Sequence, residues 1–99
     1  MPAQLFDSDD KIYREWMDQH CDGVVANTGR SIDSQIFVIH IALCPHISKY
    51  GPGQTCGCFT TSGRVKVCSM DSRDLEEWQA QHRPLATQIK DCRDCKPRE

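Results

Sequence analysis

Hydrophobic and polar residues alternate through the middle of the chain in a pattern that predicts a buried β-strand. Over residues 35–42 a period of two gives two faces, and both are mainly apolar. One face carries Ile36, Val38 and His40, and the other carries Phe37, Ile39 and Ile41. We therefore expect this strand to be covered on both sides.

Two further segments predict neighbouring strands. Residues 24–27 are short and rich in valine, and the polar turn residues 28–34 lead from them towards the central strand, which is the pattern of a β-hairpin. Residues 64–68 also alternate, with valines on one face and Lys66 and Cys68 on the other. Together the segments predict a small three-stranded antiparallel sheet.

Two segments show the period of amphipathic helices. Residues 9–20 place apolar side chains at i, i+4 spacing behind Ser8, which is a common N-cap residue type. A second helix begins near Asp71 or Ser72, either of which can cap it, and ends before Pro84. Its buried stripe is Leu75, Trp78 and His82. The expected fold class is α+β, with two or three short helices packed on the sheet.

The first helix carries two aromatic residues, Tyr13 and Trp16, that fit either a hydrophobic core or a ligand groove. Aromatic residues at helical spacing belong more often to a core. We expect the core, and the groove stays open as the alternative.

Length and composition predict one small domain. The chain has 99 residues, of which 38% are hydrophobic, so we expect a single domain over residues 1–99 with a modest core. The seven cysteines are an odd number, and residues 1–6 lack the basic start and apolar stretch of a secretory signal. We therefore expect a protein of the reducing cytoplasm. The longest apolar stretch, residues 36–43, is too short to cross a bilayer, so no membrane association is expected.

Charge is distributed unevenly along the chain, although the formal net charge is only −2. Residues 1–44 hold three basic and seven acidic side chains, a balance of −4, whereas residues 45–99 hold nine basic and seven acidic, a balance of +2. Nucleic-acid binders normally show a strong basic footprint. The footprint of the C-terminal half is mild.

Two closely spaced pairs of metal-binding residues give the clearest chemical signal. His40 and Cys44 are separated by three residues, and Cys92 and Cys95 by two, with Pro97 after them. Zinc accepts imidazole nitrogen and thiolate sulfur in a tetrahedron, and each pair supplies half of such a site. The sequence therefore predicts one zinc ion bound by all four residues.

The Cys92–Cys95 pair has two other interpretations, a redox dithiol and unliganded thiols. A redox pair normally opens a helix in a β-α-β context, whereas Lys96 and Pro97 follow here. A catalytic role has the least support, because four protein ligands leave zinc without an open position for water.

The remaining cysteines leave further metal chemistry open. Cys68 ends a strand expected beside the first ligand pair, where it can act as an additional ligand or as a supporting thiol. Cys56 and Cys58 flank a glycine after a long polar loop and can form a second metal site with His20 and Cys21. Neither of these pairs has familiar structural-zinc spacing, so free thiols are the alternative.

The order strand, His-x3-Cys, strand, helix and Cys-x2-Cys-x-Pro resembles the zinc-binding module of the Ada type, found in Ada DNA-repair proteins and in related small metal-binding domains. The resemblance covers residues 36–97. It implies that His40, Cys44, Cys92 and Cys95 bind zinc. In the repair proteins the first ligand is a cysteine that accepts a methyl group from DNA. An imidazole bound through nitrogen is not a thiolate nucleophile, so we expect no methyl transfer at His40.

Two features of the chain depart from the Ada pattern. Residues 41–43 lack the Arg-Pro that many Ada-like modules carry after a histidine in this position. Residues 84–91 also lengthen the segment between the second helix and the last cysteines. The resemblance therefore consists of the ligand pattern and the order of elements.

Two functions are expected from the charge pattern and the resemblance. One is a zinc-stabilised module that binds nucleic acid, with Lys66, Arg93 and Lys96 as contacts. The alternative is a zinc-stapled protein–protein interaction domain without nucleic-acid binding, which fits the acidic N-terminal half and the two amphipathic helices. The sequence specifies no oligomeric state.

Overall fold

Five strands and two helices make up the described part of the chain. The computed structural model describes residues 3–8, 10–42, 44, 64–93 and 95. The elements in chain order are β1 (Gln4–Phe6), α1 (Asp10–Gln19), β2 (Val24–Gly29), β3 (Phe37–Ile41), β4 (Arg64–Ser69), α2 (Ser72–His82) and β5 (Lys90–Asp91). Neither of these helices has the length and apolar character needed to cross a membrane.

The strands form one mixed sheet in the order β1-β4-β2-β3-β5. All pairs are antiparallel except β3 and β5, which are parallel. The α+β class is as expected, but the sheet has five strands rather than three and is not purely antiparallel. The three predicted strands are its centre. The two edge strands were missed because segments of three and two residues are too short to show a period.

The two helices cover opposite faces of the sheet, as the two apolar faces of β3 predict. Successive residues of β2 alternate between two core clusters, since Val25 packs in one while Val24 and Ala26 pack in the other. The side covered by α1, called the α1 face below, contains Phe6, Tyr13, Met17, Val25, Ala42, Cys44, Cys68 and Cys92. The side covered by α2, called the α2 face, contains Val24, Ala26, Phe37, Ile39, Val67, Leu75 and Ala86.

The turn after α1 passes close beneath an aromatic ring at Gly23. A Cβ atom at this position would lie 2.6 Å from Cη2 of Trp16 and 3.1 Å from the carbonyl oxygen of Ser69. Only a residue without a side chain allows this approach. Gly23 therefore sets how closely α1 packs against the sheet.

Both ends of α2 are fixed by side-chain hydrogen bonds. Asp71 caps the N-terminus by accepting from the backbone N–H of Arg73 at 2.9 Å, and this hydrogen bond holds the pKa of Asp71 below its usual range. Beyond the C-terminus, the buried Arg83 donates to the carbonyl oxygens of Gly29 and Arg30 at 3.0 and 3.1 Å. These contacts tie α2 to the end of β2.

Candidate metal centre

Strand β3 and the turn after it bring the first pair of predicted ligands together. His40 lies in β3 opposite Val25, and its side chain is 6% exposed. The backbone N–H of Cys44 donates to the carbonyl oxygen of Ile41 at 3.0 Å, which closes a turn at the end of the strand. Ala42 donates to the carbonyl oxygen of Gly23 at 3.0 Å. The turn is therefore attached to the segment between α1 and β2.

The short strand β5 is parallel to β3 and places the second pair of predicted ligands beside the first. Lys90 and Asp91 pair with Val38 and Ile39, and the backbone N–H of Cys92 then donates to the carbonyl oxygen of Ile39 at 2.8 Å. This hydrogen bond continues the register for one residue beyond the strand. Cys92 consequently emerges beside the end of β3.

The four predicted ligands converge on one point. One ligand atom from each of His40, Cys44, Cys92 and Cys95 lies within 4.8 Å of the others. The Sγ atoms of Cys44 and Cys92 are 3.8 Å apart, and the backbone N–H of Ile41 donates to the Sγ of Cys95 at 3.2 Å. Within the described residues, this is the group of histidine, cysteine and acidic side chains that can hold a metal ion.

The separation of the sulfurs fits a metal ion between them. Two thiolates on one tetrahedral zinc, each at about 2.3 Å from the metal, are about 3.8 Å apart. A disulfide would bring the sulfurs to about 2.05 Å. The observed 3.8 Å between Cys44 and Cys92 therefore matches shared coordination and not a covalent bond.

The burial of the candidate ligands also fits a metal site. His40, Cys44 and Cys92 are buried, while Cys95 is half-buried. The Nδ1 atom of His40 is buried without a hydrogen bond, although His40 takes part in other interactions. Coordination to a metal is one of the ways in which a buried polar atom is satisfied.

The protonation of Cys95 depends on its surroundings. Burial raises the pKa of the Cys95 thiol, and the hydrogen bond from Ile41 opposes that shift. A divalent cation at the centre would favour the thiolate, because a nearby positive charge stabilises the ionised form. The cluster therefore has the chemistry of a metal site whose ligands lose their protons when the metal binds.

Cys68 does not join this group. Val25 pairs with His40 on one side and with Cys68 on the other, so β2 lies between β3 and β4. The sequence analysis expected the strand that ends in Cys68 to lie beside the first ligand pair, whereas β2 separates them. Its side chain is 1% exposed, and burial raises the pKa of its thiol. A role as a supporting thiol stays a prediction.

The residues predicted to contact nucleic acid differ in their exposure to solvent. Lys66 is only 4% exposed, and its Nζ donates to Oδ1 of Asn27 at 2.8 Å. An ammonium held in this way is not presented to a phosphate. Arg93 is exposed next to the metal centre. Lys96 lies outside the described residues.

Two of the four residues predicted for a second metal site, His20 and Cys21, lie within the described ranges. Cys21 is exposed, and the ring nitrogen Nδ1 of His20 donates to the carbonyl oxygen of Trp16 at 2.9 Å. This bond fixes the tautomer, since a carbonyl oxygen can only accept. Cys56 and Cys58 lie outside the described residues.

One contributor to the centre escaped the sequence analysis. The backbone N–H of Ile41 carries no sequence signal as a donor to sulfur. Tyr13 packs in the same cluster as Cys44 and Cys92 and is fully buried, and burial raises the pKa of its phenol. Its helical spacing predicted a core position, but the pattern did not indicate which core.

No family model matches this sequence, and comparisons with curated proteins and with solved structures found no match either. The geometry nevertheless defines a class, which is a small α+β protein with a His/Cys3 cluster able to hold a metal ion. The relationship to Ada-type modules stays a prediction.

Proposed function

We propose that this chain is a small structural-zinc module in which His40, Cys44, Cys92 and Cys95 bind one zinc ion. The observation that carries the proposal is the convergence of four ligand atoms within 4.8 Å from two segments far apart in the sequence. Each pair alone is only half a site. The register of β5 on β3 makes the halves meet.

The donor set favours zinc. Three thiolates and one imidazole are soft and borderline donors, which suit a tetrahedral zinc ion better than the oxygen-preferring magnesium or calcium. Four protein ligands also complete the coordination shell. The metal then has no open position for a water or substrate, so its role is to hold the fold together.

The energetic role of the metal follows from the length of chain that it closes. Cys44 and Cys92 are 48 residues apart, and closing a loop of that length costs on the order of 4 kcal/mol of chain entropy. Strand β5 contributes only two residues of pairing. Zinc binding supplies about 10–16 kcal/mol in small zinc-dependent peptides, which is enough to offset the closure.

Metal stoichiometry tests the proposal. Mass spectrometry under native and denaturing conditions should show one zinc per chain that is released on denaturation. The Cys44→Ser variant should lose the zinc, whereas Cys68→Ala, which removes a neighbouring buried thiol outside the centre, should keep it. A protein that never contains metal, and whose melting curve is unchanged by exhaustive chelation, would rule the proposal out.

Nucleic-acid binding is a separate prediction for this module. Its support is the mild excess of basic residues in the C-terminal half and the exposed Arg93. Affinity for short duplex and single-stranded DNA should then fall as salt rises, because phosphate contacts release counterions. Binding that does not respond to salt, or no binding at low salt, would remove this function.

A further inference from the structure

Strand β1 forms one edge of the sheet. It is the first strand in the order β1-β4-β2-β3-β5 and pairs with β4 on one side. No strand within the described ranges pairs with its other side. An edge of this kind presents backbone N–H and C=O groups that can pair with another chain.

A groove lies beside β1 on each face of the sheet. On the α1 face a cavity of about 330 Å³ is lined by Phe6, Ile12, Glu15, Trp16 and His20, among others. On the α2 face a cavity of about 300 Å³ is lined by Ala3, Asp74, Glu77, Trp78 and His82, among others. Ala3 directly precedes β1, so both cavities border the same edge.

The two grooves have matching aromatic walls. In the first, the rings of Trp16 and His20 stack with centroids 4.6 Å apart. In the second, the rings of Trp78 and His82 are 4.8 Å apart. Both tryptophans are half-buried. Arg83 of the same chain already lies over the Trp78 ring, 5.0 Å from its centroid, so the second groove shows a guanidinium held against its aromatic wall. Aromatic faces attract alkyl chains and cations.

Both grooves are also acidic. Glu15 lines the first, and Asp74 and Glu77 line the second, while Asp7 lies in a smaller cavity at the end of β1. One of these carboxylates is engaged, because Ser69 donates to Asp74 at 2.8 Å. Among the described residues, neither lysine nor arginine lines any of these three cavities.

We propose that the β1 edge docks an extended basic segment of a partner protein, which adds to the sheet as a further strand. Successive side chains of a strand point to opposite faces, so an added strand would place its side chains in both grooves. Lysine or arginine side chains would meet Glu15 on one face and Glu77 on the other, with their alkyl stems against the tryptophans. Exposed Leu5 and Ile12 would be covered by aliphatic side chains.

The charge of the edge favours a basic peptide over two other occupants, a second copy of the chain and nucleic acid. A second copy of the chain paired through β1 would bring its own Asp7, Glu15 and Glu77 towards the same carboxylates, and like charges in contact oppose association. Nucleic acid would place phosphates there. The acidic edge therefore selects a cationic peptide, and this inference does not depend on which metal fills the centre.

A synthetic peptide tests the proposal on the whole 99-residue chain as purified. The probe is an octapeptide in which pairs of lysines alternate with pairs of valines, so that each face of the extended peptide carries both residue types. It should bind, bind more weakly as salt rises, and shift the amide resonances of Leu5 and Phe6. A peptide with glutamate in place of lysine should not bind, nor should one with proline at every second position, because proline lacks the pairing N–H.

Matched charge reversals locate the surface. The combined variant Glu15→Lys and Glu77→Lys should weaken peptide binding by about tenfold or more, which corresponds to about 1.4 kcal/mol. The combined variant Asp18→Lys and Asp33→Lys makes the same charge change at exposed positions outside the grooves and should bind within about threefold of the original chain. Zinc content is measured in each preparation, so loss of metal is not mistaken for loss of docking.

Three results would overturn the proposal. One is equal weakening by the two combined variants, which would mean that only net charge matters. Another is equal binding of the lysine and glutamate peptides. The third is a concentration-dependent dimer in sedimentation whose formation shifts the Leu5 and Phe6 amides, because a second copy would then occupy the edge.

Discussion

The two faces of the sheet are built from different chemistry. The α2 face is mainly apolar: Leu75 of the helix packs against valine, alanine, phenylalanine and isoleucine of the strands. Its buried Thr28 and Ser69 donate hydrogen bonds to the carbonyl oxygen of Ile36 and to Asp74. The α1 face buries thiols, the phenol of Tyr13 and the imidazole of His40. Apolar burial is the main contribution on the first face, and its few buried polar groups are hydrogen-bonded within the protein. The second face also holds the four candidate ligands, and in the proposed function one metal ion binds all of them.

The buried Lys66 is a further difference between the two faces of the sheet. Lys66 and Cys68 lie on the α1 face of β4, whereas Val65 and Val67 point to the other side. Burying an ammonium is costly unless it is hydrogen-bonded, and Asn27 accepts from Lys66 at 2.8 Å. The α1 face therefore buries more ionisable side chains than the α2 face, whose cluster consists mostly of aliphatic and aromatic residues.

Removing two of the proposed metal ligands should have the largest effect on stability, and this effect should arise on the α1 face. Cys92→Ser combined with Cys95→Ser should abolish zinc binding and detach β5, because two-residue pairing is weak by itself. Since zinc supplies about 10–16 kcal/mol in comparable small domains, we expect loss of cooperative unfolding in urea. Circular dichroism measures the transition.

The matched control for this variant removes two thiols outside the centre. Cys21→Ser combined with Cys68→Ala should keep one zinc and a cooperative transition. If the ligand variant unfolds like the original chain, the α1 face does not depend on metal.

A cavity on the α2 face should reduce stability without affecting the metal. Leu75 is fully buried, so Leu75→Ala should cost about 2–5 kcal/mol in urea unfolding. Leu85 is 53% exposed, and Leu85→Ala should stay within about 0.5 kcal/mol of the original chain. Zinc stoichiometry should be one in both variants. Release of zinc from folded Leu75→Ala would show that the faces are not independent.

Crowding at Gly23 should have a smaller effect on the α1 face. Gly23→Ala places a methyl group against Trp16 and should cost about 1–3 kcal/mol in urea unfolding. Trp16→Phe removes the atom that clashes, so the double variant should be more stable than the sum of the single changes predicts. Strict additivity would contradict the packing at this turn.

The buried thiol of Cys68 should make the α1 face sensitive to alkaline pH. Its folded pKa is raised by burial above the ordinary value of 9.0, so the unfolded chain loses this proton first. The stabilising contribution is therefore complete below pH 9.0 and is lost as pH rises above it. The loss has a limiting slope of about 1.4 kcal/mol per pH unit.

Comparison with Cys68→Ala isolates this contribution. The difference in unfolding free energy between the two zinc-loaded proteins should shrink from about pH 8 to about pH 10.5, since the variant has no thiol to titrate at this position. A constant difference would show that the pKa of Cys68 is the same in the folded and the unfolded chain.

Strands β3 and β4 and both helices could be predicted from sequence because each has several residues of clear period, and β2 was predicted from its valines and the turn that follows them. Strand β3 shows its two apolar faces directly, and α2 shows its stripe and its cap. Strands β1 and β5 could not be predicted in this way. Two or three residues have no period, and their pairing is decided by tertiary contacts such as that between Val38 and Lys90.

The candidate metal centre was predictable in composition but not in construction. Spacing identified the two ligand pairs, since both carry donors at short, chelating intervals. It could not show that β2 separates Cys68 from His40, because strand order does not follow chain order. It also gave no sign that Lys66 is buried, since a charged residue in an alternating segment normally faces solvent.

The 48 residues between Cys44 and Cys92 affect how the protein is made. A ribosome adds about 5–20 residues per second, so His40 and Cys44 are synthesised several seconds before their partners. During that interval the nascent chain displays an imidazole and a thiol with no completed coordination shell. In the proposed function, the coordination shell is therefore completed only after translation has passed Cys95.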